Sequence, residues 1–333
     1  MVLARLTQRD SFNKRMRVFA YSGSTSFQAG EVMASIKKPI NVTTKFIGNN
    51  NGQLVIGDKT KRKALVNHAY LIMCQALGNS PSLSIDIDDE LVMKHAGLGS
   101  SGATLGAVCA SINELYGSPI DNLDLISYIA NNYGEEIEDD DRENMKLVQC
   151  IGGSIADGLT EGGIAIITGN AVPIMTANYD GNAVVAIPED YVPLSAKELM
   201  EREEAHMSGF QEYGEKYASD VAYKVLHRGL PQLCKGDMSA IADAAFDHRF
   251  NRGSIQNCSF VYPRVNEIAK NVRHLYENGD CDMLAMSSVG PAFFALVDNK
   301  EDELRCLDTF AKQKMSVSTV SVHNGTYDIK EKE

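Results

Sequence analysis

The sequence lacks the excess of positive charge that marks proteins binding nucleic acids. Its 44 aspartates and glutamates outnumber its 32 lysines and arginines, which gives a formal net charge of −12. A surface of this sign repels a phosphodiester backbone, so nucleic acid is excluded as a bulk partner. A phosphorylated small molecule stays compatible with the charge, because backbone N–H groups bind an anion without any net positive charge.

Long apolar runs and paired cysteines are also missing. No stretch of about 18 apolar residues occurs, so the sequence predicts no membrane span. The opening segment, MVLARLTQRDSFNKRMRV, has no apolar core of the kind found in signal peptides. The seven cysteines form no CxxC pair and are widely spaced, which argues against a zinc site and a disulfide framework. These absences predict a cytoplasmic protein.

What the sequence does contain is typical of a globular chain, with 44% hydrophobic and 23% charged residues. Apolar and polar residues alternate over Leu83–Asp88, which predicts a half-buried strand, and apolar residues recur at helical spacing over 62–77. Strands and helices follow one another without a repeating βαβ order, so we predict the α+β class.

Two prolines near residue 190 predict a boundary between lobes 1–190 and 191–333.

Three further segments carry local predictions. Gly162–Gly169 is apolar and β-like, and Ala183–Ile187 is interpreted as its hairpin partner. Ser195 and Glu198 form a capping box ahead of a long charged helix. The acidic run Glu135–Asp141 is interpreted as a solvated loop. The sequence leaves open whether this run folds over a site as a lid.

The strongest motif is the glycine-rich segment Gly97-Leu98-Gly99-Ser100-Ser101-Gly102, which lies between a predicted strand and an amphipathic helix. Glycine permits positive φ angles and close approach of the backbone to an anion. Consecutive N–H groups at a helix N-terminus favour a phosphate. The hydroxyls of Ser100 and Ser101 can donate to that phosphate or face a magnesium ion. The segment therefore predicts a phosphate-binding loop.

This loop differs from the two most common phosphate motifs. It lacks the lysine of the GxxxxGK[ST] loop. Gly97, Gly99 and Gly102 have the spacing of a dinucleotide fingerprint, but the acidic residue expected on a second parallel strand is missing.

The loop and two later segments resemble a known superfamily. Gly97–Ala103 resembles the GLGSSAA loop of the GHMP kinase superfamily, which includes galactokinase, homoserine kinase and mevalonate kinase. Gly152–Ser154 followed by Glu161–Gly163 is similar to the helix and glycine pair after that loop, and Ser287–Pro291 resembles the late SGxGP segment. The resemblance implies a two-lobed α+β fold, with a ribosomal S5-like N-terminal lobe, a left-handed βαβ unit and a ferredoxin-like C-terminal lobe.

Three details resemble one branch, β-ribofuranosylaminobenzene 5′-phosphate synthase (β-RFAP synthase). They are Lys94-His95-Ala96 ahead of the loop, Ala285–Pro291, and the ending His323–Tyr327. The resemblance implies magnesium-dependent transfer of a phosphoribosyl group from phosphoribosyl diphosphate to an aromatic acid, with loss of diphosphate and carbon dioxide. The loop then holds the departing diphosphate.

Two alternatives stay open. The serine pair Ser100–Ser101 is closer to the kinases, which favours an ATP-dependent small-molecule kinase. The third alternative is a non-catalytic protein that binds a phosphorylated metabolite on the same fold. The sequence also leaves a homodimer open.

The resemblance assigns roles to individual residues. Catalytic roles fall to His95 and to Asp157, the latter as acceptor of a hydroxyl proton. The phosphate-binding residues are Gly97, Leu98, Gly99, Ser100, Ser101 and Gly102, and Ser100 and Ser101 are also the candidate ligands of Mg²⁺. Ser287, Ser288 and Gly290 are the candidate substrate-binding residues. Arg249, Arg252 and Arg264 can clamp a phosphate or a carboxylate by bidentate contacts, but they are interpreted as surface ion-pairing residues.

Overall fold

A computed structural model describes residues 30–48, 52–88, 96–136, 145–148, 150 and 152–329. The strands of this part are β1 (Glu31–Ala34), β2 (Asn41–Phe46), β3 (Leu54–Ile56), β4 (Leu83–Asp88), β5 (Gly134–Glu136), β6 (Met145–Leu147), β7 (Ile164–Thr168), β8 (Val172–Ala177), β9 (Asn182–Pro188), β10 (Met283–Met286), β11 (Phe293–Val297) and β12 (Met315–Ser321). The helices are α1 (Lys63–Leu77), α2 (Ser100–Leu115), α3 (Asn122–Asn131), α4 (Gly153–Ala156), α5 (Ala196–Ala205), α6 (Met207–Lys224), α7 (Leu230–Leu233), α8 (Ser239–Phe246), α9 (Val265–Val272), α10 (His274–Glu277) and α11 (Lys300–Lys312).

The strands form four sheets of mixed character, in agreement with the predicted α+β class. One sheet has the antiparallel order β1-β7-β8, and a second has the order β2-β4-β3, with β3 parallel to β4. Strands β5 and β6 make a two-stranded antiparallel pair. In the second half of the chain, β10-β11-β9-β12 form an antiparallel sheet. A single bridge between Ile36 and Val322 links this sheet to the first.

The N-terminal core lies between helices α1, α2 and α3 and the β2-β4-β3 sheet. The predicted alternation in β4 is confirmed: Leu83, Ile85 and Ile87 are buried, and the polar residues that alternate with them are more exposed. Helix α1 occupies 63–77, as its apolar spacing predicted, and ends at Gly78, which adopts the left-handed conformation usual after a helix. This packing fixes the ends of β4 and α2, between which the glycine-rich loop runs.

The C-terminal core lies on the β10-β11-β9-β12 sheet. Helices α9 and α11 bury Val265, Ile268, Cys306 and Phe310 against it. The predicted capping box is present, since the Ser195 side chain accepts from the Glu198 backbone and the Glu198 carboxylate accepts from that of Ser195. A further cluster around Ile164, Val185, Ile241, Met283 and Leu296 joins the two halves of the chain.

The predicted hairpin of Gly162–Gly169 with Ala183–Ile187 is wrong. Strand β7 turns directly into β8 through the short 3₁₀ segment Gly169–Ala171, whereas β9 pairs with β11 and β12. Residues 183–186 are all buried, which suits the interior of a sheet that is covered on both faces. Strand β9 thus lies before residue 190 but pairs with strands after it. The division at residue 190 stays a prediction.

A C-terminal segment is tied to the ends of the β7-β8 pair through Asn324. Its side-chain oxygen accepts from the backbone N–H of Gly163 at 2.9 Å and of Tyr179 at 3.0 Å. Its side-chain nitrogen donates to the Tyr179 carbonyl at 3.1 Å. One side chain therefore satisfies three backbone groups that lie 145 residues or more away along the chain.

We expect Asn324→Ala to lower the free energy of unfolding by about 2 kcal/mol or more, since it leaves these backbone groups without partners. Urea denaturation measures the change. Asn271→Ala is the matched control, because Asn271 is exposed and, among the described residues, its side chain bonds only that of Gln313. It is expected to cost less than about 0.5 kcal/mol. Equal losses in the two variants would contradict the role of Asn324.

Among the described residues, no helix combines the length and apolar character needed to cross a membrane.

Candidate functional site

The glycine-rich loop lies at the N-terminus of helix α2. Gly99 is the residue directly before the helix and has a φ of 69°, and Gly97 has a φ of 88°. In the described structure no side chain caps this end of the helix, and Ser100 is partly exposed. The first N–H groups of α2 have no partners within the helix, so they are available to an anion.

The predicted substrate segment Ser287–Gly290 lies directly on this loop. The Ser287 hydroxyl donates to the Gly97 carbonyl at 2.7 Å, and the Ala292 N–H donates to the Ala96 carbonyl at 3.1 Å. A Cβ on Gly97 would collide with the Ser287 carbonyl oxygen and lie 3.3 Å from Cα of Gly290. The absence of a side chain at Gly97 is therefore what allows the two loops to touch.

A third segment, Gly152–Ser154, packs on the other side of the loop. A Cβ on Gly99 would lie 2.6 Å from that of Ser154, and a Cβ on Gly102 would collide with the Ser154 hydroxyl. Ser154 is on the short helix α4, so α4 and the first turn of α2 are in van der Waals contact. Sequence reasoning singled out these glycines for their φ angles, and the structure adds that Gly102 is required by packing.

Glu31 and Arg249 complete the surroundings of the loop, and sequence reasoning missed both roles. The Glu31 carboxylate accepts from the Gly153 N–H at 3.1 Å, and Arg249 Nη2 donates to the Ser288 carbonyl at 2.8 Å. Burial raises the pKa of Glu31, whereas the Gly153 N–H and the nearby Arg249 charge oppose that rise. The interpretation of Arg249 as a surface ion-pairing residue differs from its described contacts, since it bonds the Ser288 carbonyl and the Cys258 thiol.

These contacts form a chain. It runs from Glu31 to Gly153–Ser154, then to the loop Gly97–Gly102, then to Ser287–Gly290 and to Arg249, whose charge acts on the pKa of Glu31. We refer to this set of residues as the loop ring. It brings together β1, α4, the N-terminus of α2 and two segments of the C-terminal lobe.

Ser101 connects the loop ring to a second acidic residue. Its hydroxyl donates to Glu135 Oε2 at 3.1 Å, and the Tyr133 hydroxyl donates to Glu135 Oε1 at 2.6 Å. Burial, assisted by the Glu135 charge, raises the pKa of Tyr133, so this phenol stays protonated. Arg62 Nη2 lies 3.5 Å from Glu135 Oε2, and Arg62 Nε lies 2.8 Å from Glu136 Oε2. The Glu135 carboxylate is thus held in a fixed orientation beside the first turn of α2.

The interpretation of the acidic run as a solvated loop is wrong for its first two residues. Glu135 and Glu136 belong to strand β5 and pair with the buried Arg62. The remainder of the run, 137–141, lies outside the described residues. The run alone gave no signal for this pairing, because Arg62 is 73 residues earlier in the chain.

Of the two predicted catalytic residues, the structure describes only Asp157. His95 lies outside the described residues. Asp157 follows α4, at the end remote from Gly153, and its pKa is raised by burial. The groups that oppose this rise are Ser35 and His323, neither of which belongs to the loop ring.

The other two arginines form ion pairs away from the loop ring. Arg252 pairs with Asp220 and Asp247, and Arg264 pairs with Glu267. These contacts agree with their interpretation as ion-pairing residues.

The donor set beside the loop fits a magnesium ion. Ser101 Oγ and the Glu135 carboxylate are hard oxygen donors, and Mg²⁺ in phosphate-binding enzymes commonly takes one or two protein oxygens together with substrate phosphates. Within the described residues, no cluster of three or more His, Cys, Asp or Glu side chains could hold a metal. A magnesium ion held by Ser101 and Glu135 would take its remaining ligands from phosphate oxygens and water. Ser100 is on the exposed side of the same turn.

Comparisons with known proteins agree with this architecture. Residues 64–163 match the family model described as the GHMP kinases N terminal domain. This range contains the glycine-rich loop, Glu135 and Gly152–Ser154. No curated protein matches the chain in sequence.

Solved structures share the fold over nearly the whole chain. Homoserine kinase from Cytophaga hutchinsonii is 15% identical with a TM-score of 0.60, over 90% of this chain and 96% of that one. Mevalonate pyrophosphate decarboxylase from Streptococcus pyogenes is 13% identical with a TM-score of 0.60, over 90% and 89%. L. major mevalonate kinase in complex with R-mevalonate is 11% identical with a TM-score of 0.56, over 93% and 94%.

The predicted two-lobed GHMP fold is confirmed by these likenesses. The family match is confined to residues 64–163, and the solved structures show the fold alone. They do not distinguish the β-RFAP synthase branch from the kinases.

Proposed function

We propose that the protein is a transferase of the GHMP kinase type that transfers the γ-phosphoryl group of ATP to a hydroxyl group of a small molecule. One observation carries this proposal: the Ser101 hydroxyl and the Glu135 carboxylate are paired at 3.1 Å beside an uncapped helix N-terminus. The hydroxyl and the carboxylate are oxygen ligands for Mg²⁺, and the free backbone N–H groups donate to phosphate oxygens. A nucleoside triphosphate bound with Mg²⁺ requires both kinds of group.

Each part of the site has a task in this proposal. The N–H groups at Gly99–Gly102 bind phosphate oxygens, and Ser101 and Glu135 hold the magnesium ion. When bound, Mg²⁺ neutralises charge on the phosphate oxygens. Arg62 Nη1 is buried and has no hydrogen-bond partner among the described residues, so a donor is left beside Glu135 for an anion. Ser287, Ser288 and Gly290 border the acceptor side of the loop.

Phosphoribosyl transfer from phosphoribosyl diphosphate to a small aromatic acid is a second candidate. The contact between Ser287 and Gly97 favours it, because Ala285–Pro291 is a segment that resembles β-RFAP synthase. In this case the same amides and the Ser101–Glu135 pair bind the diphosphate. The two candidates thus use one phosphate site and differ in the donor.

Thermal unfolding with each donor separates these candidates. With Mg²⁺ present, a ligand at one hundred times its Kd adds about 2.7 kcal/mol of stability. We expect ATP to raise the melting temperature and phosphoribosyl diphosphate to leave it unchanged. Chelation of Mg²⁺ with EDTA is expected to remove most of the ATP effect.

Turnover is then measured with Mg-ATP and a panel of small hydroxy compounds. Stabilisation by phosphoribosyl diphosphate alone would contradict the kinase proposal and favour the second candidate. Stabilisation by ATP without transfer to any acceptor would indicate a non-catalytic binding protein on the same fold.

A further inference from the structure

Glu31 is the carboxylate of the loop ring. It begins strand β1, and its Oε2 accepts from the N–H of Gly153, the first residue of α4. A Cβ on Gly153 would collide with this carboxylate. The small residue at position 153 is therefore what allows an acidic side chain from β1 to reach the N-terminus of α4.

The environment of Glu31 combines burial of the carboxylate with some access to solvent. Protein atoms surround its carboxylate closely, yet the residue keeps partial exposure to solvent. The groups that face it are the Gly153 N–H from α4, the Arg249 guanidinium from the C-terminal lobe, and the Cys150 thiol from the segment before α4. Of these, only Arg249 carries a charge at neutral pH, and its positive sign favours the ionised carboxylate.

Glu31 also lies next to the phosphate loop. Gly153, which donates to it, precedes Ser154, and Ser154 packs on Gly99 and Gly102. On its other side, Arg249 bonds Ser288 in the segment that touches Gly97. The Glu31 carboxylate is therefore connected to the phosphate loop through Gly153–Ser154.

Asp157 offers a direct comparison. Burial raises the pKa of both carboxyls, but the groups around Asp157 are Ser35 and His323 rather than members of the loop ring. The two residues flank the same short helix from opposite ends.

The geometry points to Glu31 as the proton acceptor of the reaction, in the place that the sequence suggested for Asp157. This inference rests on the proposed kinase function. In the step, the acceptor oxygen forms a bond to the γ-phosphorus and the bond from that phosphorus to the ADP oxygen breaks. The proton of the acceptor hydroxyl passes to the Glu31 carboxylate and from there to solvent. Arg249 is a positioning residue, since its charge opposes the rise in the pKa of Glu31 and its guanidinium bonds Ser288.

The test compares Glu31→Gln, Asp157→Asn and Asp282→Asn in the phosphoryl transfer assay with Mg-ATP and the acceptor that wild type uses from the hydroxy-compound panel. Asp282 is the control: burial raises the pKa of its carboxyl too, but it bonds Tyr179 and lies outside the loop ring. We expect Glu31→Gln to lower kcat about 100-fold or more, since positioned general bases contribute about 10²–10⁴-fold. Asp157→Asn and Asp282→Asn are expected to change kcat less than about threefold.

The pH profile and ATP binding exclude a merely structural role. The kcat of wild type is expected to fall as acid protonates Glu31, and Glu31→Gln is expected to lack this fall while its thermal stabilisation by Mg-ATP persists. A 100-fold loss in Asp157→Asn with an active Glu31→Gln would overturn the inference but leave the kinase function intact. Retention of the acid limb in Glu31→Gln would overturn it as well. Wild type that transfers phosphate to no acceptor would overturn both the function and the inference.

Discussion

Gly97→Ala is expected to destabilise the protein by about 3 kcal/mol or more and to abolish stabilisation by ATP. A non-glycine residue at a positive φ costs about 1–2 kcal/mol, and the added Cβ collides with the backbone carbonyl of Ser287. A backbone atom cannot move aside as a flexible side chain can, so either the loop or the Ser287–Gly290 segment must shift. Thermal unfolding with and without Mg-ATP measures both effects.

Gly117→Ala separates the cost of a positive φ angle from the cost of the collision. Gly117 has a φ of 73°, close to that of Gly97, but no described atom lies within 4 Å of the position of an added Cβ. It therefore carries the conformational cost without the collision, and we expect a loss of about 1 kcal/mol and an unchanged response to ATP. Equal losses in the two variants would show that the contact between Gly97 and Ser287 contributes nothing to stability.

Glu135→Gln is expected to raise the Mg²⁺ concentration needed for ATP stabilisation and to lower transfer activity, each by about 100-fold or more. Loss of even an outer partner of a metal ligand typically costs about 10–100-fold, and here a candidate ligand is replaced. Glutamine keeps the size of the side chain, so Tyr133 and Ser101 retain a hydrogen-bonding partner. Magnesium titrations at fixed ATP, followed by thermal shift, measure the first effect.

Glu136→Gln is the matched control for charge. Glu136 is the neighbouring residue and pairs with the same Arg62, but it does not contact Ser101. Both variants remove one negative charge from the Arg62 cluster, and only Glu135→Gln removes it from the candidate magnesium site. Similar magnesium dependence in the two variants would indicate that Glu135 serves only to pair with Arg62.

The predictions that succeeded depend on short segments. Alternation predicted β4, helical spacing predicted α1, and the Ser195–Glu198 pair marked the start of α5. In each case the apolar face or the cap is set by residues within one or two turns or along one strand. The hairpin assigned to β7 and β9 failed because strand pairing is decided between segments, and an apolar strand is compatible with more than one neighbour.

The candidate site likewise has one part that short segments predict and another that depends on contacts between distant segments. The glycine-rich loop could be found in the sequence, because positive φ angles and a following helix require particular residues within a few positions. Glu135 was misread because its partners Arg62 and Ser101 are 73 and 34 residues away. Glu31 gave no signal at all, because the Gly153 N–H that binds it lies 122 residues later.

By itself, the sequence determined the α+β class, the elements around the glycine-rich loop and the chemistry that such a loop can bind, since these follow from local conformation and periodicity. Only the tertiary structure decided which acidic side chains stand beside the loop. It places Glu135 against Ser101 in the first turn of α2 and Glu31 against Gly153 of α4, which packs on that turn. Asp157 instead faces Ser35 and His323. The physical reason is that the role of a carboxylate depends on the groups in contact with it. Contacts between segments far apart in the sequence are created by packing of the two cores rather than by any pattern along the chain.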